Sequence, residues 1–145
     1  MKTAAWFLVL SSWFVVSVYA LAVDDCNHKL WTWRVDKKAA HKLQQFVNHG
    51  HELWRLDDVA TVAENAIDAQ KGVWADRNTI LKTPKVTSQT NDTALLVFTS
   101  EDGGIYYEVV LRKPAWLLHD AHDNWDWVVW LPTSVERVEC VASPH

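Results

Sequence analysis

The sequence predicts an α+β domain, and three observations carry that reading. Apolar residues recur at three- and four-residue steps through the first half of the chain. Beyond Thr93 the period falls to two, and one cysteine stands near each end of the region that follows an apolar leader. Helices first and strands after imply N-terminal amphipathic helices packed on one face of an antiparallel β-meander of about four strands. A single disulfide, Cys26–Cys140, is expected to close the domain end to end.

Each element has its own signal. Lys2 precedes a nearly unbroken apolar run from Ala4 to Tyr19, and Ala20 and Ala22 provide the small residues a signal peptidase reads. Residues 1–22 are therefore expected to be a cleaved signal peptide, with cleavage after Ala20 or retention as a membrane anchor as the alternatives. Residues 23–145 then form a single α+β domain of about 120 residues, too short for two independent cores. Val23 to Val35 reads as an edge strand or an extended lead-in. Asp36 is placed to cap a helix whose stripe is Ala39, Ala40, Leu43, Phe46, Val47, Leu53 and Trp54. Gly50 falls on that stripe and marks a bend or a close approach. Asp57 or Asp58 opens a second helix through Val59, Val62, Ala63, Ala66, Ile67, Val73, Trp74, Ile80 and Leu81, kinked or broken at Gly72.

The second half reads as strands. Thr83 to Thr93 has the composition of a loop. Ala94 to Thr99 and Ile105 to Arg112 form a hairpin about the turn Glu101-Asp102-Gly103-Gly104. Trp125 to Leu131 and Ser134 to Val141 are predicted as two further strands, with Pro132 at their junction. Of ten tryptophans, Trp54 and Trp74 are assigned to the core. Trp125 and Trp127 would face one side of a strand and Trp130 the other, so at least one indole there, or Trp116, is expected to be exposed.

Charge and cysteine usage bound the function. The chain carries 14 basic and 18 acidic side chains, and the only basic one in the leader is Lys2, so the formal charge moves from −4 to −5 when the leader is removed. Nucleic acid is excluded as a natural partner, because binding it rests on neutralising phosphates. An acidic surface instead speeds encounter with basic proteins. The leader and the disulfide place the protein in the periplasm or outside the cell, with no stable membrane insertion after cleavage.

The densest polar stretch runs from Leu118 to Trp127. Asp120, Asp123, Trp125, Asp126 and Trp127 are predicted to contact a basic protein partner, with aromatics as anchors and carboxylates as complementary charge. His119 and His122 are weak candidates for a divalent metal, since their spacing with these aspartates matches no metal signature. His51-Glu52 lacks the second histidine of a zinc-protease helix, Arg55 standing four residues after His51. His41, Gln45 and His49 read as the solvated side of the first helix. No serine sits in a nucleophile elbow and no cofactor motif is present. An exported binding protein that inhibits or neutralises a partner is thus favoured, such as an immunity protein or an inhibitor of a cell-wall hydrolase. A glycan- or ligand-binding module using exposed tryptophan is the alternative, and a metal-dependent hydrolase at His119–Asp126 the third reading. Asn91-Asp92-Thr93 is a glycosylation sequon, relevant in a eukaryotic host.

Overall fold

The computed structural model describes residues 25–140. The leader over residues 1–22, and its cleavage, lie outside the described residues.

Among the described residues, three α-helices and a five-stranded antiparallel sheet make up the fold. In chain order they are β1 (Cys26–Thr32), α1 (Lys37–Asn48), α2 (Trp54–Asp57), α3 (Val59–Lys71), β2 (Lys85–Gln89), β3 (Thr93–Thr99), β4 (Ile105–Arg112) and β5 (Leu131–Cys140). The sheet order is β1-β5-β4-β3-β2, so β2 to β5 form a meander and β1 adds to its far edge. The α+β class and the Cys26–Cys140 bridge are as predicted.

Alternation decides which face is buried. Ala94, Leu96 and Phe98 of β3 lie across from Leu111, Val109 and Tyr107 of β4, and Val135 continues the row on β5. All seven are buried, together with Val59, Val62, Ala63, Ala66 and Ile67 of α3. That helix starts where Asp58 caps it, accepting a 3.0 Å bond from the Thr61 amide. The β3–β4 turn closes as its glycines predict: Gly103 has φ +78°, and Asp102 Oδ1 accepts from the Gly104 amide at 2.9 Å.

Four expectations need correction. The sheet has five strands instead of about four, because Lys85–Gln89, within the predicted loop, pairs with β3. All five of its residues are exposed, so no face demanded the alternation that would have revealed it. The second helix ends at Lys71; Gly72 and the positive φ of Ala75 (60°) turn the chain, leaving Val73 and Ile80 exposed. The first helix ends at Asn48, where Gly50 at φ +89° reverses the chain and Leu53 and Trp54 pass to α2. Trp125 to Leu131 is not a strand: Trp125–Trp127 is a 3-10 turn and β5 begins at Leu131.

Among the described residues, α3 is the helix that lies across the sheet. Helix α1 instead buries Ala40 and Val47 against Leu117, Ala121, Val128 and Val129, forming a second, smaller core under the β4–β5 connection. The polar residue in the middle of its buried face explains that placement. Gln44 is fully buried; its Nε2 donates to the Trp127 carbonyl at 2.6 Å and to Asn48 Oδ1 at 3.0 Å, and its Oε1 accepts from the Val129 amide at 3.0 Å. Backbone groups that a strand would have paired are thus taken by one side chain. Replacing Gln44 with Leu leaves the Val129 N–H and the Trp127 carbonyl unpaired, and should destabilise the protein by about 2–4 kcal/mol. Urea denaturation checks this, and a loss below about 1 kcal/mol would show that the clip is dispensable.

Candidate functional site

The β4–β5 connection, residues 113–130, carries every residue expected at the interface, and α1 pins it from below. Besides Gln44, Asn48 Nδ2 donates to the Asp120 carbonyl at 2.8 Å, and His41 Nδ1 pairs with the Asp120 carboxylate. His41, Gln44 and Asn48 lie at helical spacing, so one side of α1 is a polar clip. Beyond the solvated role expected of it, His41 packs its ring at 5.3 Å from the half-buried Trp116.

These contacts sort the predicted residues. Asp120 is committed to His41 and half-buried. Trp125 is half-buried against the smaller core, and its carbonyl accepts a 2.8 Å bond from Lys113 Nζ. Trp130 is buried in the main core, with Lys113 Nζ 5.0 Å from its ring centroid. Asp123, Asp126 and Trp127 point outward, Trp127 with 43% of its surface exposed. The expectation of indoles on two faces of one strand therefore fails, while an exposed indole is present.

Two elements distant in sequence meet beside Trp127. Leu53, Leu56 and Asp57 from α2 and its N-terminal flank line a groove of about 470 Å³ with Asp126 and Trp127. That volume lies in the usual range of ligand clefts, about 300–1,000 Å³. Among the described residues neither Asp57 nor Asp126 has a hydrogen bond or ion pair to its carboxylate. The sequence held a signal for Asp57: of two adjacent aspartates only one can cap α3, and Asp58 does so. Lys113 lies behind the turn, 6% exposed. Burial pushes its ammonium below the usual value, and Asp126 and Asp57 oppose that shift.

His119 and His122 are both exposed, and His122 and Asp123 adopt φ of 57° and 56° in the loop. Among the described residues no three His, Cys, Asp or Glu side chains gather as a metal centre requires. Asn91 sits exposed at the β2–β3 turn, where Thr90 Oγ1 bonds Asp92 at 3.1 Å.

A buried polar network, unforeseen from the sequence, lies on the helix-facing side of the sheet. Arg137 Nε and Nη2 donate to the two carboxylate oxygens of Asp76 at 2.6 and 2.9 Å, and the Tyr107 hydroxyl adds a 2.5 Å bond. Glu139 accepts from Arg137 Nη1 at 2.8 Å. Burial would raise the Asp76 carboxyl, but Arg137 and Tyr107 outweigh it and hold it below its ordinary value. Burial and the Asp76 charge push the Tyr107 hydroxyl up, so it stays neutral. With every polar atom of the trio engaged, the network fastens the segment after α3 to the sheet. Comparison of the chain with protein-family models, curated proteins and solved structures gives no match.

Proposed function

We propose that this is a small exported protein that binds a basic protein partner and blocks it, in the manner of an inhibitor or immunity protein. One observation carries the reading: a groove walled by exposed Leu53 and Trp127 and flanked by two uncommitted carboxylates, Asp57 and Asp126. Exposed apolar anchors with complementary charge beside them are the ingredients of an interface centre. The clip from α1 supports it further, because a surface held in place loses little freedom on binding. The Cys26–Cys140 bridge suits an oxidising compartment.

The test is capture of a partner from the periplasmic or secreted fraction of the source cell, followed by association kinetics. Replacing Asp57, Asp123 and Asp126 with Asn should slow association about tenfold at low salt and hardly at all near 0.5 M, where charges are screened beyond about 4 Å. Asp120→Asn should have a smaller effect on the on-rate, since that carboxylate is half-buried and turned toward His41. Recovery of no protein, together with retention on a glycan column through Trp127, would replace this reading with the carbohydrate-binding one.

A further inference from the structure

We propose that the groove between α2 and the Trp125–Trp127 turn receives one arginine side chain of the partner. This rests on the binding reading above and assigns a chemistry to its site.

The carboxylates set the charge of the occupant. Of the acids around the groove, Asp58 caps α3 and Asp120 pairs with His41. Among the described residues the carboxylates of Asp57 and Asp126 have no hydrogen bond or ion pair and feel Lys113 only through its field. The cation closest in charge effect, Lys113, points its ammonium at the Trp125 carbonyl and makes no ion pair with either among the described residues. Its field leaves the groove with more negative than positive charge. A divalent ion is a poor occupant, because two carboxylates beside three apolar side chains supply too few oxygen ligands.

The walls choose among organic cations. Leu53 is 49% and Trp127 43% exposed, so a ligand that covers both gains apolar burial as well as charge pairing. An arginine stem can lie along Leu53 and Leu56 while its planar guanidinium stacks on the indole and offers five N–H donors to two carboxylates. A lysine ammonium is a compact, strongly hydrated point charge that gains less from an indole wall. A guanidinium–indole contact already occurs on α2 itself, where the Arg55 guanidinium lies 4.4 Å from the Trp54 ring centroid.

The probe is the capped tripeptide Gly-Arg-Gly, with its lysine and citrulline counterparts, titrated into ¹⁵N-labelled protein. The expected result is a shift of the Trp127 indole N–H and the amides of residues 53–57, saturating at about 1–10 mM. The double variant D57N/D126N, at exposed positions and with its fold checked by an otherwise unchanged ¹⁵N spectrum, should weaken it about tenfold. Citrulline keeps the shape of arginine without the charge and should give no response. Absence of any shift with the arginine peptide, or an equal response to citrulline or lysine, overturns the assignment. A captured partner whose affinity ignores D57N/D126N also overturns it, while leaving the binding reading intact. Arginine binding with no protein partner recovered sinks that reading and keeps the socket.

Discussion

Asp76→Ala should destabilise the protein by about 3–5 kcal/mol, because it strands a buried guanidinium. Arg137 and Asp76 have side chains only 6% and 4% exposed, and their contact is bidentate. Without Asp76, Arg137 keeps only Glu139, whose side chain is 47% exposed and a weaker counter-charge. The fully buried Tyr107 hydroxyl loses its acceptor as well. Tyr107→Phe, by contrast, leaves both Arg137–Asp76 bonds in place and should cost about 1 kcal/mol. Guanidinium denaturation of the two variants separates these cases. Equal effects would mean that the hydroxyl, and not the ion pair, is what matters.

The pH dependence has a definite sign. The folded carboxyl of Asp76 titrates below its ordinary 3.8, so its contribution is fully present above that pH. It is lost as pH falls from there through the depressed folded value. The stability gap between wild type and Asp76→Ala should hold steady from pH 7 to about 4 and narrow below it.

How much of this was legible follows from the range of the interactions. The hairpin β3–β4 and the buried stripe of α3 were readable because a repeat of two or of three to four residues is written locally. The short apolar run Val128-Val129-Trp130 looked like a strand by the same local rule. What makes it otherwise is Gln44, 85 residues from Val129, taking the backbone groups a ladder would use. Asp76 and Arg137 are 61 residues apart, and nothing in the spacing of either announces the other. At the candidate site the aromatic and acidic composition of residues 120–127 pointed to the right loop. It could not tell that Asp120 was already paired, nor that α2 would bring Leu53 and Asp57 beside Trp127.

Replacing Cys26 and Cys140 with Ser should lower stability by up to about 4–5 kcal/mol, the chain-entropy value for a bridge spanning 114 residues. The loss should be uneven across the sheet. Six of the seven residues of β1 are exposed, so apart from the bridge its hold on β5 is mainly the backbone ladder. In the double variant, hydrogen exchange of the β1 amides should approach that of a frayed edge while β3 and β4 remain protected. Release of β1 also bears on the buried ion pair. Lys29 lies directly opposite Arg137 on the same face, so β1 borders the network, and its departure lets water reach the guanidinium. A hydrated Arg137 no longer needs Asp76 as much. The cost of Asp76→Ala should therefore be about 1 kcal/mol or more smaller in the Cys26→Ser/Cys140→Ser background than in wild type. Strict additivity of the two changes would mean that β1 stays docked without its bridge, and that the ladder alone secures the edge.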